Sequence, residues 1–188
     1  MPTGYQIKDQ SACYYLTFQV VYWIDLFMKQ VYRDIVVESL KFCQKEKGLE
    51  LFAWVIMSNH IHLLARSSQD DLSGTIRDLK KFTSKRFIET IISTNDSRMA
   101  WMTRLFSHAA KRQNKEGEYQ VWTHENHAVE VYGNAFIQTK VRYIHDNPVR
   151  AGLVRNAEEY LYSSAGAYSG QDGLIDIIPI VMTIEKIK

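Results

Sequence analysis

His60 and His62 stand one residue apart in "VIMSNHIHLLAR" (55–66), within an apolar run. Along a strand, residues i and i+2 point the same way. The two imidazoles therefore share one face, and Ile61 and Leu63 take the other. Two neutral imidazoles held side by side suit a divalent cation, provided a third ligand arrives from elsewhere in the chain. Alone, the pair names neither metal nor reaction. A single histidine on an apolar strand is usually a hydrogen-bonded core residue.

A partner for the pair lies in "VRYIHDNPVRAGLV" (141–154). Read as a helix, Ile137, Val141 and Ile144 form a narrow apolar stripe. Tyr143 and Asn147, at i and i+4, sit one above the other. They fall roughly 80–120° to one side of that stripe, at the border of the packed face, while His145 falls on the opposite flank. A phenol is a nucleophile and a carboxamide oxygen a weak metal ligand. Taken alone, Tyr143 reads equally as a core-edge residue, and Asn147 as a helix-end residue before proline.

The surrounding pattern supplies elements to carry these residues. "ACYYLTFQVVYWI" (12–24) is aromatic and β-branched and predicts a strand. Residues 29–47 predict a helix with Val36, Leu40 and Cys43 on its apolar stripe and Gly48 as its C-cap. "LELFAWVIM" (49–57) and "HIHLLAR" (60–66) predict an antiparallel hairpin turning at "SNH". A helix follows from about Ser73 into the early nineties, with Ile76, Leu79, Thr83 and Phe87 on its inner side. "SRMAWMTRLFSHAAKRQ" predicts an amphipathic helix, "NKEGE" a loop, and 119–132 an irregular fourth strand. Asn134 is expected to cap the helix that carries Tyr143. Another helix (about 157–167) and an apolar tail close the chain. The order β-α-β-β-α, then β-α-α, predicts an α+β fold: a ferredoxin-like split βαβ antiparallel sheet with additional C-terminal helices. Helices on one face would leave the other, histidine-bearing face open. Residues 1–188 are expected to form one domain, with 157–188 its C-terminal helix and tail.

Composition narrows the classes. The 188 residues are 46% hydrophobic and carry a net charge of +2, enough for a real core and compatible with a polyanionic partner. Two cysteines, Cys13 and Cys43, make no disulfide framework. The first residues lack a signal-peptide pattern, and no apolar run approaches the roughly 20 residues that span a bilayer. A soluble, cytoplasmic protein with no membrane partner is the expectation. Arg77, Lys80, Lys81, Lys85 and Arg86 form the densest basic cluster, and Arg142 and Arg150 flank Tyr143. Trp122, His124 and His127 precede the tyrosine helix and read either as site-lining or as plain core and loop residues.

"MSNHIHLLAR" followed downstream by "RYIHDNPVRAGLV" resembles the single-tyrosine HUH transposases, named for two histidines flanking a hydrophobic residue. It resembles most of all the REP-associated tyrosine transposases and their insertion-sequence relatives. "GLELFAWVIMSNHIHLL", "RDLKKFTSKRF", "YIHDNPVRAGLV" and "YLYSSA" follow that family's pattern in the same order, from about residue 12 to 180. The resemblance implies a single-strand DNA endonuclease and strand transferase acting on hairpins or element ends. Tyr143 would attack a phosphodiester to give a 5′-phosphotyrosine. His60, His62 and Asn147 would bind Mg²⁺ or Mn²⁺. The basic helix would contact single-stranded or hairpin DNA, together with Arg142 and Arg150. A homodimer, with the tyrosine serving its own subunit's site or a neighbour's, is left open, as is the general base for a phenol whose ordinary pKa is near 10. The alternative is a non-catalytic nucleic-acid-binding module of ferredoxin-like fold. The glycine-aromatic run expected of an RNA-recognition sheet is absent. Replication initiators and relaxases share the histidine pair, but "YIHDNPVRAGLV" points away from them. No His-Glu-x-x-His supports a zinc hydrolase.

Overall fold

The computed structural model describes residues 6–112 and 118–182. The "NKEGE" loop expected at 114–118 lies almost wholly outside the described residues, as do the last residues of the tail. Four strands, β1 (Tyr14–Gln19), β2 (Leu49–Ile56), β3 (His60–Ser67) and the short β4 (Val129–Glu130), form one sheet in the order β2-β3-β1-β4. Every neighbouring pair is antiparallel. Helix α1 (Gln30–Lys47) connects β1 to β2, and α2 (Leu72–Ser93) follows β3. This is the ferredoxin-like split βαβ arrangement expected from the element order. Helices α3 (Met99–Arg112), α4 (Asn134–Arg150) and the one-turn α5 (Ala165–Tyr168) complete it. Among the described residues, no helix is long and apolar enough to cross a membrane.

The alternation of β1 and β3 decides which side chains meet which helices. Tyr14, Leu16 and Phe18 of β1 join Ile61 and Leu63 of β3 in a core with Val36 and Leu40 of α1 and Ile76 and Phe87 of α2. Gly48 ends α1 with a left-handed φ of 61°, the C-cap its sequence position predicts. Asp71 caps α2, its side chain accepting from the Gly74 amide.

The opposite sheet face is not open, contrary to the expectation. Val141 and Ile144 of α4 bury themselves against Tyr15, Ala53, Val55 and Leu64. That face carries its own apolar residues, and leaving them in water would forfeit about 25 cal/mol for each Å² of apolar surface. The histidine face is thus a partly roofed cleft.

Other boundaries also differ. The strand expected over 12–24 ends at Gln19. Val20 makes a lone bridge to Trp122, and residues 21–23 turn in a 3-10 helix in which Tyr22 and Trp23 both have φ of 56°. Asn134 is the first residue of α4 rather than its cap. Gly133, with φ of 82°, precedes it and offers no side-chain cap. The helix expected at 157–167 is instead a 3-10 turn at Ala157–Glu159 followed by an extended stretch and α5. The Ile56 amide donates to the Tyr162 carbonyl at 2.9 Å and the Ser164 amide to the Trp54 carbonyl at 3.0 Å. The stretch thereby covers the otherwise unpaired edge of β2, which outweighs the local helical pattern.

One buried carboxylate ties the helices to the loops at the histidine end of the sheet. Asp96, in the α2–α3 connection, accepts from Tyr32 Oη at 2.7 Å and lies 3.0 Å from Lys29 Nζ. It also accepts from the Arg98 amide, while Arg98 Nη1 donates onward to the Asp25 carbonyl. Burial opposes ionisation of Asp96, but these donors outweigh it and hold its carboxyl well below the usual carboxylate range. Breaking such a buried network should cost about 3 kcal/mol. A carboxyl with a depressed folded pKa contributes stability that is complete above its unfolded pKa and lost as pH falls towards the folded value. Asp96→Asn is therefore expected to lower the urea midpoint at neutral pH and to flatten the loss of stability below about pH 4. Urea melts across pH check both.

Candidate active site

The register of β1 and β3 pairs Thr17 with His62 and Gln19 with His60. Opposed residues share a face, so two imidazoles, a hydroxyl and a carboxamide stand on the α4 side of the sheet. The imidazole centroids are 4.7 Å apart. His62 is buried at 5% exposure and His60 is half-buried. Burial lowers the pKa of both. His62 is pushed down to about 3, with His60 and the Lys140 ammonium adding to the effect of burial. Both rings are therefore neutral, the form that binds a metal.

Their Nδ1 atoms are already engaged. His60 Nδ1 lies 2.8 Å from Asn59 Oδ1, and Asn59 Nδ2 in turn donates to Asp25 Oδ1 at 2.9 Å. An Asn59 oriented this way accepts, so the proton sits on Nδ1 of His60 and Nε2 keeps its lone pair. His62 Nδ1 meets Tyr15 Oη at 2.8 Å and Thr17 Oγ1 at 2.9 Å. Either oxygen can accept from Nδ1–H, and in that tautomer Nε2 keeps its lone pair. Outer partners of this kind fix the tautomer and aim of metal-binding histidines. The donor set fits a divalent cation that also takes oxygen ligands. Among the described residues no three His, Cys, Asp or Glu side chains cluster to hold a metal, and the carboxamide-bearing Gln19 stands opposite His60.

Tyr143 comes to this pair from the same chain. Its ring lies 5.6 Å from that of His62 and 6.1 Å from that of Tyr15, edge-on to both, and it is 38% exposed. The Arg150 guanidinium sits over the Tyr143 ring at 5.6 Å. Lys140, one turn earlier on α4, lies 4.5 Å from the centre of the Tyr15 ring. Tyr15 cannot readily serve as a base: burial, above all, raises its phenol pKa, with Tyr143 adding to the rise. Asn147 bonds within its own helix. Its Nδ2 donates to the Tyr143 carbonyl at 2.7 Å within the helix. His145 lies on the far flank as its spacing predicts, 2.9 Å from Ser164 Oγ and packed on Tyr168.

The basic residues divide into three groups. Arg77, Lys80, Lys81 and Lys85 line a groove of roughly 1140 Å³ between α2 and the 118–126 segment. Arg86 lies outside that lining and pairs with Glu89 at 3.5 Å. Arg142 is exposed on α4 beside Tyr143. Within the groove Lys80 also has a structural task, donating to the Thr123 carbonyl at 2.7 Å and to Asn126 Oδ1 at 2.8 Å. Arg77 meets Asp78 at 3.0 Å, and Lys85 approaches Glu89 at 3.9 Å. Trp122 is core: its indole N–H donates to Thr83 Oγ1 and its ring packs on Phe18, Phe27 and Phe87. His124 lines the groove.

Sequence reasoning missed Tyr15, Thr17, Asn59 and Lys140. The alternation in "YYLTFQ" carries a signal for the first two, since Tyr15 and Thr17 fall opposite the core-facing Tyr14, Leu16 and Phe18. Nothing local marks Asn59 or Lys140.

No curated protein sequence matches the chain. Among solved structures, it is similar to that of the REP-associated tyrosine transposase bound to a REP hairpin, with a TM-score of 0.62 and 16% identity over 99% of both chains. At that identity the likeness shows the fold. A family model described as "Transposase IS200 like" matches residues 9–147. That span includes β1 to β4, the histidine pair and Tyr143 through Asn147, and with it the chain belongs to the IS200-like transposase family.

Proposed function

We propose that this transposase nicks and rejoins single-stranded DNA at a metal-assisted tyrosine site, on substrates that include hairpins. One observation carries the reading: Tyr143 lies against His62 of its own chain, beside a buried and a half-buried imidazole whose Nδ1 atoms are both engaged by oxygen partners. His60 and His62 would hold Mg²⁺ or Mn²⁺. A carboxamide oxygen would complete the protein's share, from Asn147, whose Nδ2 bonds the Tyr143 carbonyl, or from Gln19 opposite His60. When bound, the cation neutralises a non-bridging phosphate oxygen and makes phosphorus more electrophilic.

The chain's own groups do the rest. Tyr143 Oη attacks phosphorus and gives up its proton to solvent water, the bond to the 3′ oxygen breaks, and that oxygen takes up a proton from water as a free 3′-OH. The phosphate stays on Tyr143 as a 5′-phosphotyrosine. Attack by another 3′-OH reverses these changes, joins the strands and returns the phenol, so no ATP is needed. Arg150, over the Tyr143 ring, and Lys140, over the neighbouring Tyr15 ring, would supply positive charge for the phosphate. Tyr143 and the histidine pair meet within one chain, which supports a site built without a second copy. Action on cytoplasmic DNA fits a chain in which no described helix is long and apolar enough to cross a membrane.

The α2 groove would hold the paired part of the DNA. The solved structure of similar fold is bound to a REP hairpin, and Lys81, Lys85 and Arg77 present cations along one side of the groove here. A non-catalytic module reading a single strand on an open sheet is disfavoured because α4 covers that face.

Tyr143→Phe is expected to abolish a denaturation-resistant adduct between the protein and a single-stranded oligonucleotide in Mn²⁺ while sparing binding. EDTA should abolish the adduct with the wild type. An adduct that survives either change would contradict the assignment of nucleophile or metal. For the groove, Lys81→Ala should weaken hairpin binding across sequences and reduce the slope of log affinity against log salt by about 1. An unchanged slope in a salt titration would remove Lys81 from the interface.

A further inference from the structure

Tyr22 and Trp23, between β1 and α1, both adopt φ of 56°. Glycine or asparagine enters this region at little cost, whereas a bulky aromatic residue does so only under strain. Strain of this kind persists where the surroundings impose it, and it gathers at functional positions. Here the surroundings do impose it. Tyr22 Oη lies 2.8 Å from His108 Nδ1 of α3, the Trp23 amide donates to the Val20 carbonyl at 3.1 Å, and Asn59 Nδ2 reaches the Trp23 carbonyl at 3.4 Å. The outcome is an indole that is 60% exposed yet sits edge-on to the metal-facing His60, with ring centroids 6.1 Å apart. Burial does not explain that ring, because more than half of it remains in water.

We propose that Trp23 is a stacking platform for a nucleobase of the single strand, next to the phosphate that Tyr143 attacks. The inference rests on the reading of the histidine cleft as a single-strand DNA site and adds a residue that orients the strand. Tyr143, with the Arg150 guanidinium over its ring, flanks His62, while Trp23 flanks His60. A strand crossing the pair would therefore have its phosphate near the tyrosine and a flanking base near the indole. The neighbouring charges leave the indole face to a base. Asp25 is occupied by Asn59, and the Arg98 guanidinium is spent on the Asp25 carbonyl and Asp96. Stacking on an aromatic side chain is tolerant of base identity, because every base has a π-face. Trp23 should thus contribute affinity and register rather than sequence choice.

The test measures binding by fluorescence anisotropy with two labelled probes, an oligodeoxythymidylate and an abasic deoxyribose-phosphate chain of equal length and charge. Trp23→Ala should weaken binding of the thymidylate roughly ten-fold or more and leave the abasic chain unaffected. Trp23→Phe should retain most of the affinity. Trp23→Gly, which relieves the backbone, should melt no lower than the wild type and still bind as weakly as the alanine variant. The proposal is overturned if the alanine variant binds thymidylate as the wild type does, or if binding of both probes falls equally, which would mark a structural role. The nicking reading fails in a different way, through base-dependent binding with no covalent adduct. A wild type that binds neither probe overturns both.

Discussion

The pairing of β1 with β3, in the register that sets Thr17 opposite His62, is the constraint on which the rest depends. A slip of one residue would turn Ile61 and Leu63 into the cleft and drive both histidines into the core beneath α1 and α2. The apolar half of each strand prevents this, because Tyr14, Leu16, Phe18, Ile61 and Leu63 are all buried in one cluster. The same packing that stabilises the sheet thus aims the imidazoles. It also brings Tyr15 and Thr17 to Nδ1 of His62, which steadies the ring.

Two kinds of support then converge on the pair. From below, a polar chain runs from the buried Asp96 through Arg98 to the Asp25 backbone, and from the Asp25 carboxylate through Asn59 to His60. From above, Val141 and Ile144 seat α4 on the sheet and leave Tyr143 at the rim, half in water and against His62. Burial keeps the imidazoles neutral, whereas Tyr143 keeps access to a substrate. In the proposed reaction, imidazoles held inside would serve as ligands and a phenol held at the edge as the nucleophile for an incoming phosphodiester.

Much of this was legible from periodicity. The two-residue period of "HIHLL" separated the histidines from Ile61 and Leu63, and the helical period put Tyr143 beside the Val141 and Ile144 stripe. The element order gave the sheet topology. What escaped depends on contacts between distant segments. That Asn59 orients His60 follows from the approach of Asp25 across the loop. That α4 roofs the histidine face follows from the combined apolarity of Tyr15, Val55 and Leu64, which lie on three strands. Tyr160 to Ser164 reads locally as helix, but the unpaired edge of β2 recruits its backbone. The left-handed turn at Tyr22 and Trp23 contradicts local preference, as strained sites do. Asn147, singled out by spacing, is engaged by its own helix.

In the proposed mechanism His60 and His62 together hold a divalent cation beside Tyr143. Pulsed electron paramagnetic resonance of the Mn²⁺-loaded protein tests it most directly. One bound Mn²⁺ per chain is expected, with couplings from two imidazole nitrogens that fall to one in His60→Ala and in His62→Ala. A wild type that shows no imidazole nitrogen coupling, or a coupling that both variants retain, would contradict it.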